Sequence, residues 1–185
     1  STVLKKVKKM SEIRQNLITR DWVIIATERA RRPDEFSRKS TNQLPPSHRS
    51  DCPFCVGNEE EIALESFRIS QGNEWKVRIV PNKYPALSPI GERLRNVDSI
   101  HRSLMGVGFH DVIVEHPRHD LTIALLSTED IINILLAYRH RYSQLRKDPR
   151  IETIIIFKNH GESAGTSLEH PHSQLAAIPV VPFQF

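Results

Sequence analysis

Only one stretch of this 185-residue chain spaces its apolar residues for a helix. Ile131, Ile134, Leu135, Tyr138, Tyr142 and Leu145 fall on one face of a 3.6-residue period, and Ser127 stands three residues before Asp130 as in a capping box. This spacing predicts a helix running to Asp148-Pro149. Every other apolar run is short and rich in β-branched residues, which marks strands. These runs are Asp21 to Ala26 (read as the first strand), Trp75 to Val80, Gly108 to Glu115, Leu121 to Leu125 and Ile151 to Phe157; past the loop at 158–169, His170 to Ile178 reads as extended again. A doubly wound parallel sheet needs strands and helices to alternate, and a lone helix among strands cannot supply that. The expected class is α+β: an antiparallel sheet with a packed helix.

Within that order, Lys76 and Arg78 alternate with apolar neighbours, so their strand should be half exposed before Pro81 to Pro85 turns the chain. The runs on either side of His116-Pro117-Arg118-His119 suggest a hairpin around a histidine-bearing turn. Ile151 to Phe157 reads as a strand buried on both sides or central in its sheet. Residues 29 to 51 show no apolar period and read as a long loop, a type of segment that tends to carry function.

A chain of this length can bury about 70% of its unfolded surface in one domain. Its apolar runs stop far short of a bilayer span, so no membrane role is expected. Two cysteines cannot build a disulfide scaffold, and no apolar secretory segment opens the sequence, so the expected location is cytoplasmic. Lys and Arg number 26 against 22 acidic residues, yet Lys5, Lys6, Lys8 and Lys9 all lie in an acid-free head. Residues 1–9 read as a disordered or added basic head and 10–185 as the folded domain. Charge confined to one end does not make a nucleic-acid-binding face, so no nucleic-acid partner is expected.

Cys52-Pro53-Phe54-Cys55 places two thiolate donors in a turn at the spacing that clasps one side of a tetrahedral metal. A redox dithiol would open a helix after a strand, whereas this pair follows Pro45-Pro46-Ser47 and precedes Gly57-Asn58. The remaining ligands would come from His116, His119 and His170, each in a proline-containing segment, while His140 on the helix reads as solvated. Residues 159–174 form a loop of glycines and hydroxyls ending in His170-Pro171-His172-Ser173-Gln174. Glycine lets backbone N–H groups approach an anion closely. In an extended segment His170, His172 and Gln174 share one face. A neutral imidazole attacks phosphorus when its second nitrogen donates to a carbonyl that fixes the tautomer. One of these histidines is therefore a candidate for phosphorylation or nucleotidylation, with the Gln174 amide, the Ser167 hydroxyl and loop amides as donors to phosphoryl oxygens. Arg29-Ala30-Arg31-Arg32-Pro33 offers guanidinium forks for phosphate, and Asn82 is either a turn former or an amide that reads a nucleoside.

Taken in order, Glu12-Ile13-Arg14 with Trp22-Val23, Arg29 to Pro33, Cys52 to Cys55, Gly108-Phe109-His110-Asp111-Val112, and Gly165-Thr166-Ser167 through Gln174 resemble the galactose-1-phosphate uridylyltransferase family, a branch of the histidine-triad superfamily. The resemblance spans residues 12 to 182 and implies a histidine-triad-like fold. It also implies a ping-pong exchange of UMP between UDP-glucose and galactose 1-phosphate through a uridylyl-histidine, with 10–185 as the N-terminal nucleotidylyltransferase domain. On this resemblance His172 is the nucleophile and Gln174 steadies the phosphoryl oxygens. Arg29, Arg32, Asn82, Asn159, Gly165 and Ser167 line the nucleotide and its phosphates. Cys52, Cys55, His119 and His170 hold a structural zinc, with His116 the second choice for the third ligand. Family enzymes are dimers with a second, related half that has no counterpart in this sequence and that shares in hexose recognition. Alternatives are an ADP-sugar phosphorylase or adenylyltransferase of the same superfamily, or a zinc-stabilised nucleotide-binding half without turnover.

Overall fold

The structure, a computed structural model, describes residues 11–27, 29, 45–62, 64–161, 164, 166 and 168–182. The basic head and most of the long loop read at residues 29–51 lie outside them. In chain order the strands are β1 (Glu12–Gln15), β2 (Trp22–Ile25), β3 (Phe67–Gln71), β4 (Glu74–Pro81), β5 (Arg95–Asp98), β6 (His101–Met105) and β7 (Phe109–Val114), then helix α1 (Thr128–Leu145), β8 (Thr153–Phe157) and β9 (His172–Ile178). They form two sheets of antiparallel neighbours, one ordered β2-β1-β6-β5 and the other β3-β4-β7-β9-β8. The α+β class therefore stands, with two sheets where one was expected. Among the described residues no helix is long and apolar enough to cross a membrane.

Strand alternation divides the five-stranded sheet into a helix face and a site face. Val77, Ile79, Ile113, Leu175 and Ala177 meet Ile134, Ala137 and Leu145 of α1 on the first. Burying each larger aliphatic side chain contributes about 1.5–3 kcal/mol. The helix starts as predicted: Ser127 Oγ accepts the Asp130 N–H, and the Asp130 carboxylate accepts the Ser127 N–H. It ends at Leu145, short of Asp148-Pro149, where the Asp148 N–H tightens the turn onto the Leu145 carbonyl at 3.1 Å. On the opposite face Val80, Val112 and Val114 pack against Cys52, Phe54 and Cys55. Gly108 opens β7 at φ +150°, and a Cβ there would stand 2.2 Å from the Ala177 carbonyl oxygen. Only glycine allows β7 and β9 to approach so closely.

Further readings of the sequence change, among them the half-exposed β4: Arg78 is buried and its guanidinium pairs with Glu65. Trp22–Ile25 is the second strand, paired with the polar β1 before it. Leu121 to Leu125 forms no hairpin with β7, because β4 and β9 already occupy both edges of that strand. Residues Ile123–Leu125 coil instead into a short 3-10 turn. Strand β8 lies at the end of its sheet among the described residues, although Ile154 and Ile156 pack towards α1 and Ile155 packs on the other face. The exposed His140 ring stacks on Phe67 with centroids 3.8 Å apart, so it is not simply solvated.

Candidate functional site

Cys52 and Cys55 are held in a knuckle in which the Asn58 amide donates to the carbonyls of Arg49, Ser50 and Cys52. The Arg49 N–H points at Cys55 Sγ from 3.3 Å. Glu59, which accepts the Trp75 indole N–H at 2.9 Å, ties this loop to β4. His119 arrives from the turn after β7, and His170 from the residue pair ahead of β9. His170 Nε2–H donates to the His116 carbonyl at 2.8 Å, which turns its Nδ1 lone pair to the sulfurs. That atom stands 3.7 Å from Cys52 Sγ and 3.6 Å from Cys55 Sγ, while His119 Nδ1 stands 3.4 Å from Cys55 Sγ. Bonds of about 2.3 Å to sulfur and 2.05 Å to nitrogen at tetrahedral angles would separate such donors by about 3.4–3.8 Å. All four donor atoms lie within 4.8 Å of one another, and all four residues are buried.

The electrostatics agree with a cation-binding cluster. Burial pushes the Cys52 thiol up to about 12, so holding it as a thiolate requires a positive charge beside it. Burial also lowers His170 to about 4 and lowers His119, which keeps both rings neutral and able to ligate. His119 Nε2 is a buried atom without a hydrogen-bond partner, with Glu169 Oε2 3.7 Å away. His116, the alternative ligand, turns its ring aside: its Nδ1 accepts the Arg118 N–H, and it lends the cluster only its carbonyl.

Two residues along, His172 makes the complementary choice. Its Nδ1–H donates to the His170 carbonyl at 2.8 Å, which leaves the lone pair on Nε2. The ring is 8% exposed and packs beside Phe54, centroids 5.6 Å apart. His172 and Gln174 lie opposite Val114 and Val112 of β7 and share the site face. Gln174 Oε1 lies 2.9 Å from His110 Nε2, and Asn82 Nδ2 lies 3.3 Å from that same nitrogen. The Ala86 N–H reaches His110 Nδ1 at 3.0 Å. Burial lowers the His110 pKa, against the opposing effect of its bond to Gln174, and the positive charge of Arg29 lowers it further.

The structure thus gathers Cys52, Cys55, His119 and His170 at one centre and His172, Gln174 and Asn82 at its flank, while the N–H of Arg29 donates to the Ala26 carbonyl just after β2. Asn159 lies in the loop after β8, which turns at Gly161 with φ +78°. Arg32, Gly165 and Ser167 lie outside the described residues. His110 carried no role in the sequence reading, although a histidine followed by an aspartate inside an otherwise apolar strand is a visible irregularity. A cavity of about 620 Å³, lined by Phe67, Leu136 and His140, opens beside α1 on the other face of the sheet.

The fold and this pair of centres define an antiparallel α+β domain with a Cys2His2 cluster beside a histidine- and amide-bearing strand. The chain belongs to the family described as galactose-1-phosphate uridyl transferase, N-terminal domain, whose model matches residues 2–182. It is 41% identical over 180 residues to an ADP-glucose phosphorylase of Arabidopsis thaliana, covering 92% of this chain and 49% of that protein. To a galactose-1-phosphate uridylyltransferase of Schizosaccharomyces pombe it is 29% identical over 195 residues, covering 93% of this chain and 50% of the relative. Among solved structures, an Arabidopsis thaliana ADP-glucose phosphorylase with bound ADP-glucose superposes with a TM-score of 0.62 at 36% identity, over 95% of this chain and 51% of that one. A uridylyltransferase structure gives 0.65 at 27% identity, over 92% and 47%. The chain spans about half the length of the curated relatives it matches.

Proposed function

We propose that this chain is the nucleotidyl-accepting half of an enzyme that splits a nucleoside diphosphate sugar through a nucleotidyl-histidine at His172. The observation that carries this reading is the bond from His172 Nδ1–H to the His170 carbonyl, which sets the nucleophilic lone pair on Nε2. Nε2 attacks the α-phosphorus: a P–N bond forms, the bond to the bridging oxygen breaks, and sugar 1-phosphate leaves. An acceptor oxyanion then attacks the same phosphorus: a P–O bond forms, the P–N bond breaks, and its electron pair returns to Nε2 to restore the neutral ring. The Gln174 amide and Arg29 steady the phosphoryl oxygens, where charge accumulates. Arg32, Gly165 and Ser167 join them on the motif match, and Asn82 and Asn159 face the nucleoside.

We assign zinc to the Cys2His2 cluster, since two thiolates and two neutral imidazoles suit it and match its charge. Four protein ligands leave no position for water, so the ion, when bound, is structural and orients the head of β9. Identity of 41% to an ADP-glucose phosphorylase, against 29% to a uridylyltransferase over a similar span, favours ADP-glucose as donor and inorganic phosphate as acceptor. The second reading, UMP exchange between UDP-glucose or UDP-galactose and hexose 1-phosphates, draws on the family description and the uridylyltransferase relatives. On either reading the rest of the sugar site comes from the second half found in the relatives and from a homodimer partner. A reducing cytoplasm suits the free thiols of this cluster.

The test is to incubate metal-loaded protein with ADP-glucose or UDP-glucose labelled at the α-phosphorus and to quench in base, which spares a phosphoramidate. Retained label from ADP-glucose on wild type and none on His172→Ala is the expected result. Label from UDP-glucose alone would move the assignment to the second reading. Nucleotide binding without label from either donor would overturn both in favour of a non-catalytic binding half.

A further inference from the structure

His110 lies buried on β7, diagonal to Gln174 on the same sheet face, and the chemistry proposed above leaves it without a task. Its contacts fix its protonation. A backbone N–H is always a donor, so the Ala86 N–H at 3.0 Å makes Nδ1 an acceptor. A neutral imidazole then carries its hydrogen on Nε2. That N–H faces the Gln174 side chain at 2.9 Å, and only the amide oxygen can receive it. Gln174 therefore has one orientation, with Oε1 against the ring and its NH2 turned away from it. Asn82 is pinned in a parallel way: its Oδ1 accepts the Tyr84 N–H at 2.9 Å, so its NH2 faces the same ring nitrogen, which offers it no acceptor.

We propose that His110 is a positioning residue that holds the Gln174 amide with its N–H donors directed at the phosphoryl group. This inference rests on the nucleotidyl-transfer reading above. An unrestrained glutamine amide presents oxygen or nitrogen almost interchangeably, and the wrong face sets a partial negative charge against phosphoryl oxygens that become more negative in the transition state. Backbone polarity at Ala86, relayed through one imidazole, removes that choice. Burial, with a smaller contribution from the charge of Arg29, outweighs the opposing effect of the bond to Gln174 and favours the neutral ring that the relay requires.

The experiment measures single-turnover labelling of His172 in wild type, His110→Ala, His110→Gln, Gln174→Ala and the double variant His110→Ala/Gln174→Ala, together with nucleotide-sugar affinity. Removing one oriented donor lowers rates about 10²–10³-fold in established cases, and misorienting it should cost about 10- to 100-fold in the rate with affinity changed less than about 3-fold. His110→Gln, whose amide can still donate to Gln174 Oε1, should recover most of the rate. In the Gln174→Ala background, His110→Ala should have no further effect; losses that multiply would overturn the proposal. A second readout is independent of turnover. Nitrogen-15 NMR should show unprotonated Nδ1 and protonated Nε2 on His110, and His110→Ala should shift the Gln174 side-chain amide resonances. The opposite tautomer, or an unmoved Gln174 amide, would also overturn it. If wild type takes no label, the nucleotidyl-transfer reading fails while the NMR result still decides the positioning claim.

Discussion

His170 and His172 stand two residues apart at the head of one strand and are held in opposite tautomers. His170 gives its Nε2–H to the carbonyl of His116 and turns Nδ1 to the thiols; His172 gives its Nδ1–H to the carbonyl of His170 and keeps its lone pair on Nε2. His170 is fully buried, while His172 retains 8% exposure. The same side chain is thus fitted for two tasks by which backbone oxygen it can reach. The first histidine also supplies the carbonyl that fixes the second, so the metal cluster and the proposed nucleophile share one stretch of backbone.

The sharpest way to break this comparison is to truncate each ring in turn. His172→Ala should abolish nucleotidyl labelling completely while changing unfolding free energy by no more than about 1 kcal/mol, as read by urea melts. His170→Ala should instead release the metal, with elemental analysis falling from one ion per chain towards none and a stability loss of about 3–5 kcal/mol. If His172→Ala destabilises as much as His170→Ala, the division of labour is wrong. Next in size is Gly108→Ala. Its new Cβ meets the Ala177 carbonyl, so β7 and β9 must separate at a cost of about 3 kcal/mol or more, measurable as a lower urea midpoint.

A pH series sharpens the comparison further. The folded pKa of His110 is lowered, chiefly by burial, so the unfolded chain binds a proton more readily than the folded one. Stability from this group is therefore complete above the unfolded value of about 6.5 and is lost as pH falls below it towards the lowered folded value. Urea melts from pH 8 to pH 5 should show a shallower acid-side loss for His110→Gln than for wild type. The smallest effect belongs to a site remote from both histidines: Ser127→Ala removes the capping bond to the Asp130 N–H and should cost about 1 kcal/mol.

What the sequence disclosed follows from where its signals were local. Helix α1 was legible because its period and its cap both lie within 20 residues, β4 and β7 because they are rich in β-branched residues, and β9 because its polar residues alternate ahead of an apolar end. Strands β1 and β5 were not, since β5 is exposed throughout and β1 is mostly polar; neither carries the apolar alternation that betrays a strand. Leu121 to Leu125 failed for the reverse reason, as it has strand composition but no vacant edge beside it. The cysteine pair was legible from its spacing and three candidate histidines from their proline-containing segments, while the resemblance selected His119 and His170; the choice of His119 over His116 depends on a ring orientation that spacing cannot encode. The orienting contact to His110 comes from a backbone amide 24 residues away, which no pattern of side chains announces.

The Cys2His2 cluster joins chain segments far apart in sequence, with Cys55 separated by 64 residues from His119 and by 115 from His170. A polypeptide growing from its N-terminus delivers the thiols first and the fourth ligand last, on the same few residues that bear His172. An ion held by all four ligands would therefore certify that β9 has arrived. On the zinc assignment proposed above, a shortage of metal would be felt during assembly, before any ligand is met.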